Sequence, residues 1–329
     1  LRVGTGNVEI ASLIAPRPLG LTAANDWTKT MPQDGFPELK RVYQLLGADN
    51  NVALFPALHF EHNFNHVART SMYGWMNQHF GLGMDQPVLE SDFELASRDE
   101  LTVWDSEHPQ PPSGEDFERQ LLKLWRDMTD VQLAGLARGD EAQQQERITI
   151  LRNGWKVCLG LTAHPQLAAA ALVTKQPEGE SIRIQLGDKD PQTIYYPLYY
   201  PINTQEQPLV PNPRLAAAYT YGYNLPGFAQ QAQRLGLALN ELAKRHPETS
   251  LRLEASGRAA LLAAAGVFCA EQSHAPEHAI GSRLTLSIDP GEATFAAVTS
   301  IRDPYFLPGA ARYGDAAGLI ASLKAQVAM

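Results

Sequence analysis

Apolar and polar positions alternate in blocks along the first ninety residues, and the block lengths predict strands and helices in turn. Ile10 onward reads as the end of a short helix, followed by a turn at Ala15-Pro16-Arg17-Pro18. Leu19 to Ala24 is then a short apolar run of the kind found in buried parallel strands, and it stops at Asn25-Asp26. From Phe36 to Leu46 the apolar residues fall at Phe36, Leu39, Val42, Tyr43 and Leu46, a helical spacing closed by Gly47. Val52 to Leu58 predicts a second apolar strand, His59 to His66 a loop, and Val67 to Phe80 a second helix ending at Gly81. Strand, helix, strand, helix implies a parallel sheet.

Farther along, Asp85 to Glu115 turns polar and Pro-rich, which predicts a boundary, and Phe117 to Leu136 predicts a connecting helix. Ile148 to Leu161 and Ser181 to Tyr200 read as strand-rich, with Tyr195-Tyr196 and Tyr199-Tyr200 around prolines, so an insert of β character is expected there. Leu215 to Arg245 has an apolar start, the turn Tyr221-Gly222-Tyr223-Asn224, and a long amphipathic helix from Pro226 to Lys244. Thr249 to Ala255 predicts a strand, Ser256-Gly257-Arg258 a turn, Ala259 to Ala270 a small-residue helix, and Leu284 to Ile288 a further strand. This is a second α/β unit in the doubly wound order. The expected division is 1–90 as one domain part, 91–146 as linker and connecting helix, and 147–329 as a second α/β domain carrying the β-rich insert.

Length and composition narrow the possibilities. The 329 residues are 44% hydrophobic, enough for two domain cores. A formal charge of -9 and a pI near 5.5 leave no broad basic footprint for a phosphate backbone, so nucleic acid is not an expected partner. A neutral or weakly polar substrate fits better. The longest apolar runs are too short to cross a bilayer, so no membrane partner is expected. Only Cys158 and Cys269 occur, too few for a disulfide framework or a thiolate metal site. Leu1 to Gly4 reads like mid-domain sequence, which predicts further sequence upstream.

Asp26 falls just past one predicted strand and His62 just past the next. Side chains at the carboxyl ends of parallel strands converge on one crevice, so the two can meet. A carboxylate that fixes an imidazole tautomer frees the other ring nitrogen to take a proton from a hydroxyl, and this pair is half of a nucleophilic hydrolase. The competing reading of Asp26 is a turn aspartate before Trp27-Thr28. His59 competes with His62 as the base. His59, Glu61, His62 and His66 could also be read as metal ligands, but the His-Glu-x-x-His spacing is absent and the stretch reads as a loop. No metal or cofactor is expected.

A resemblance sharpens this. Gly6-Asn7-Val8-Glu9-Ile10-Ala11, Ala15-Pro16-Arg17-Pro18-Leu19, Ala24-Asn25-Asp26-Trp27-Thr28 and His59-Phe60-Glu61-His62-Asn63-Phe64-Asn65 together resemble the acetyl-xylan-esterase-like branch of the α/β-hydrolases. The match covers about the first ninety residues, with Phe64 standing where tyrosine is expected. The resemblance implies that Asp26 and His62 are the acid and base of a Ser-His-Asp relay, and the Asn-aromatic-Asn context favours His62 over His59. It also implies ester hydrolysis, with removal of acetyl from carbohydrate esters, and a secreted or periplasmic location. The expected partners are a small or carbohydrate ester and the missing N-terminal part of the same domain.

More weakly, the second half resembles a degenerate hydrolase-like domain. The segments that carry this are Tyr221-Gly222-Tyr223-Asn224, Ser256-Gly257-Arg258, Asp303-Pro304-Tyr305-Phe306-Leu307-Pro308-Gly309 and Arg312-Tyr313-Gly314-Asp315. No Gly-x-Ser-x-Gly elbow occurs in the chain. Ser256 stands in Glu254-Ala255-Ser256-Gly257-Arg258, without small flanking residues, and reads as a capping serine rather than a nucleophile. The nucleophile is therefore expected upstream. The alternative function is a non-catalytic binding or scaffolding module of a larger hydrolase. The tyrosines beside Pro197 and Pro201 could stack on sugar rings or simply pack.

Overall fold

The computed structural model describes residues 6–161, 167–187, 196–210, 220–222, 224–272, 280 and 283–328. Its chain is mixed α/β with open sheets and divides into two compact units, 5–112 and 113–329.

In the unit 5–112 the order is α1 (Asn7–Ser12), β1 (Leu19–Ala23), α2 (Met31–Asp34), α3 (Phe36–Leu45), β2 (Val52–Pro56), α4 (His66–Phe80) and α5 (Arg98–Leu101). β1 and β2 pair in parallel, from Leu19 opposite Val52 to Ala23 opposite Pro56. The two faces of this ribbon carry different helices because side chains alternate along a strand. Leu19, Leu21 and Val52 meet the fully buried Leu39 and Tyr43 of α3. On the opposite face a Cβ at Gly20 would come within 2.6 Å of the Trp75 ring of α4, so only glycine lets that helix lie so close. Phe55 on the same face meets the edge of Trp75, with ring centroids 6.2 Å apart. Asn65 caps α4 by accepting the Ala68 N–H at 3.2 Å, and Gly81, with φ +64, ends it.

The unit 113–329 holds α6 (Glu115–Arg138), α7 (Glu141–Cys158), β3 (Ser181–Gly187), β4 (Tyr196–Pro201), α8 (Gly227–Arg245), β5 (Ser250–Ser256), α9 (Arg258–Glu271), β6 (Leu284–Asp289), α10 (Asp315–Ala321) and β7 (Gln326–Ala328). The expectation of strands over Ile148 to Leu161 is overturned: the segment is helical through Cys158. Ile148, Thr149 and Ile150 suggested β-structure locally. Leu151, Trp155 and Cys158 nevertheless recur at helical spacing and are all buried, and Asp140 with Gln143 forms a capping box at the start.

The separate β-rich insert is corrected as well. β3 and β4 do form, but they extend one five-stranded sheet of order β4-β3-β5-β6-β7. β5, β6 and β7 run parallel, and β3 is antiparallel to both β4 and β5. Among the described residues none of these strands pairs with β1 or β2. α9, every residue of which from Ala259 to Ala270 is buried, lies on this sheet and is covered by α8. Leu215, Tyr195 and Tyr223, which figured in the sequence reading, lie outside the described residues. Cys158 and Cys269 are buried and are not bridged to each other.

Candidate active site

β1 ends at Ala23 and β2 at Pro56, so the residues that follow both strands leave the same end of the ribbon. Backbone hydrogen bonds tie the two exits together: Ala57 N–H donates to the Ala23 carbonyl at 2.8 Å, and Asn25 N–H to the Phe60 carbonyl at 2.7 Å. Asp26 and His62 are thereby brought face to face, with Asp26 Oδ2 2.6 Å from His62 Nδ1. The other carboxylate oxygen, Oδ1, accepts the Thr28 N–H at 2.7 Å and the Thr28 hydroxyl at 2.6 Å. The Thr28 hydroxyl in turn accepts the Ala24 N–H at 3.1 Å, closing a tight turn around the carboxylate.

The Thr28 hydroxyl, then His62, then the Thr28 N–H lower the Asp26 pKa to about 2. Asp26 is therefore an ionised acceptor at neutral pH. With Nδ1 held by the carboxylate, His62 keeps its second nitrogen, Nε2, without a hydrogen-bond partner among the described residues, on a side chain 77% exposed. An imidazole with one nitrogen anchored and the other presented outward can accept a proton from a hydroxyl placed against it. Beside the pair lies a cavity of about 200 Å³ bordered by Thr22, Trp27, Phe60, Asn63 and Asn65.

The neighbouring candidates disperse. The His59 ring lies on Phe60, with centroids 4.1 Å apart, and not on Asp26. His66 Nδ1 turns to Glu90 Oε2 at 3.3 Å. Since His59, His62 and His66 each have a different neighbour, the four residues of that stretch do not form a common ligand set.

Ser256 is the last residue of β5, in the unit 113–329, and no described serine hydroxyl is hydrogen-bonded to a described histidine ring. The strained position in the strand-to-helix turn is the next residue, Gly257, at φ 57° and ψ −137°. It is flanked two residues either way by Ala255 and Ala259, so the small residues absent around Ser256 surround Gly257 instead. At that position the chain has no side chain to act with.

Three features were not anticipated from sequence. The first is Thr28, whose signal is the Asp-x-Thr turn itself, because a short polar side chain two residues after an aspartate closes such a loop. The second is the strained backbone position at Gly257, which the sequence marks only as a tight-turn glycine. The third is Glu90, whose carboxylate accepts from Tyr73 Oη at 2.7 Å, from Arg69 Nη2 at 2.7 Å and from Arg69 Nε. These bonds hold the Glu90 carboxyl well below the usual carboxylate range. No local pattern foretells a partner so distant in sequence.

Comparison with known proteins finds no matching family model, no matching curated protein and no matching solved structure.

Proposed function

We propose that residues 5–112 are the carboxyl-terminal part of an α/β-hydrolase domain of the acetyl-xylan-esterase-like kind, and that the protein is a serine-type carboxylic ester hydrolase acting on acetylated carbohydrate. The observation that carries this reading is the 2.6 Å contact between Asp26 and His62 at the carboxyl ends of adjacent parallel strands. Asp26 fixes the imidazole tautomer. His62 Nε2 takes the proton of a serine hydroxyl as that oxygen attacks the ester carbonyl, then returns it to the leaving alcohol. Water repeats the sequence to release the acid. The serine and the oxyanion-hole donors come from sequence upstream of Leu1, and neither metal nor cofactor takes part. Gly257 at the turn of the second unit favours a non-catalytic role for residues 113–329. Acetylated polysaccharide as substrate favours an exported enzyme.

The test is hydrolysis of 4-nitrophenyl acetate by this chain, by a version extended at its N-terminus, and by the extended His62→Ala variant. The extended protein should turn over and lose several orders of magnitude in kcat with His62→Ala, because triad members act as a unit. Turnover by this chain alone that vanished with Ser256→Ala would overturn the reading.

A further inference from the structure

Parallel sheets are ordinarily covered by helices on both faces. In the sheet β4-β3-β5-β6-β7, of which β5, β6 and β7 are parallel, α9 packs on one face, and on the other the Arg183 and Arg252 side chains are about half exposed. Ile182, Ile184, Leu251, Leu253, Leu284, Leu286 and Ile288 point to the buried side. The residues between them form a polar face. Strand register arranges this face in rows: Tyr199, Arg183, Glu254 and Ser287 stand side by side across four strands, and Ser256 lies opposite Asp289 at the carboxyl ends of β5 and β6. At about 4.8 Å between strands, the four-residue row spans about 14 Å. These residues line a cleft of about 520 Å³, within the size range of small-ligand sites. It lies where ligands bind in open α/β sheets, outside the carboxyl ends of the parallel strands.

The charges in the cleft and at its margin cancel once Arg252, which borders it, is counted with Arg183 against Glu254 and Asp289. Arg252 Nε reaches Glu254 Oε1 at 2.9 Å, Arg183 Nη1 approaches Glu254 Oε2 at 3.8 Å, and Gln185 Nε2 donates to Oε2 at 3.2 Å. With the two guanidiniums of Arg183 and Arg252 balanced by the two carboxylates of Glu254 and Asp289, the site offers a phosphate or carboxylate ligand no excess positive charge. It also lacks the apolar centre of a protein interface. What remains is an alternation of hydroxyl, guanidinium, carboxylate and amide groups, with the half-buried Tyr199 at one end. That set suits a ligand which both donates and accepts at many points and carries no charge.

We infer that this cleft binds a neutral oligosaccharide. Gly257 at the adjacent turn puts no hydroxyl at the position where an ester-cleaving nucleophile would stand, so the proposed role is binding and not ester hydrolysis. The inference stands on residues 113–329 and does not depend on the Asp26–His62 chemistry.

The experiment is isothermal titration of the full chain carrying His62→Ala, so that binding is read without any hydrolysis, with xylohexaose as the neutral probe and a tri-galacturonate as the charged one. Saturable binding of xylohexaose is expected, weakened about fivefold or more by Tyr199→Ala and by Asp289→Asn, with melting temperature checking that each variant is folded. Thr285→Ala, one row away and outside the cleft, should bind as the parent does. Absence of xylohexaose binding at millimolar concentration overturns the inference, and so does binding indifferent to both cleft variants or a preference for the galacturonate. Loss of esterase activity in the extended protein has no bearing on this outcome.

Discussion

Thr28 holds one oxygen of Asp26 with both its backbone N–H and its hydroxyl, while the other oxygen faces His62 Nδ1 at 2.6 Å. The carboxylate is thus fixed from behind before it meets the imidazole. Its ionised form is favoured in the folded chain, with a pKa of about 2 against an ordinary 3.8. A depressed carboxyl pKa contributes stability that is present above the unfolded value and lost as pH falls through the folded one. The unit 5–112 should therefore lose stability between about pH 4 and pH 2 through this group. Carbon-detected NMR of the Asp26 carboxyl should give a midpoint near 2. In Thr28→Ala, which removes the largest cause, the midpoint should move up toward 3.8. A midpoint unmoved by that substitution would show that Thr28 does not hold the carboxylate.

Gly20→Ala should destabilise the unit 5–112 by about 1–2 kcal/mol, because the new methyl would meet the Trp75 ring at 2.6 Å and crowd Met72 at 3.0 Å. The ring must shift for the methyl to fit. Denaturant unfolding of Gly20→Ala, Trp75→Phe and the double variant should show a coupling between the two changes, since the residues touch. Additive effects would mean that α4 does not rest on β1 through this contact.

A larger cost is expected at Gly236 in α8. There a Cβ would meet the backbone of α9, 2.9 Å from Ala270 N and 3.0 Å from the Gly266 carbonyl oxygen, so no side-chain movement can relieve it. Gly236→Ala should cost about 3 kcal/mol and lower the melting of the unit 113–329. Gly135→Ala in α6 has open space around it and should instead stabilise by about 0.5–1 kcal/mol, the ordinary gain of alanine over glycine in a helix. Equal effects at the two positions would refute the close approach of α8 and α9.

Where one face of an element repeats, the sequence is readable. β1, α3, β2 and α4 fall within two residues of their predicted bounds, because Leu39 and Tyr43 of α3 and the apolar runs of β1 and β2 each carry a clean period. The same reasoning placed Asp26 and His62 at one sheet end, and the contact is there. It failed at 148–161, where three consecutive β-favouring residues hid the helical recurrence of Leu151, Trp155 and Cys158. It also treated β3 and β4 as an insert, since nothing in Ser181 to Gly187 reveals that Arg183 lies opposite Glu254, far along the chain. Long-range pairing leaves no local trace. The turn at Ser256-Gly257-Arg258 is legible from its glycine, which takes φ 57°, but that this glycine and not Ser256 holds the strained strand-to-helix position shows only in its backbone angles.

Asp26→Asn in the N-terminally extended protein separates orientation from proton transfer. The asparagine keeps the size of the side chain, and with its carbonyl still accepting from Thr28 it presents an amide N–H to His62 Nδ1. A donor facing Nδ1 forces the imidazole proton onto Nε2, the nitrogen that must be bare to act as base. On this ground kcat for 4-nitrophenyl acetate should fall about 10³- to 10⁴-fold, the order typical when a relay carboxylate is replaced by its amide, while KM changes little because substrate binding is untouched. Thr28→Ala leaves the carboxylate in place but less firmly held, and its loss in kcat should be smaller. If Asp26→Asn retained full kcat, Asp26 would be a turn residue whose contact with His62 serves the fold alone. If it raised KM in proportion while sparing kcat, the pair would belong to a binding surface and not to a base.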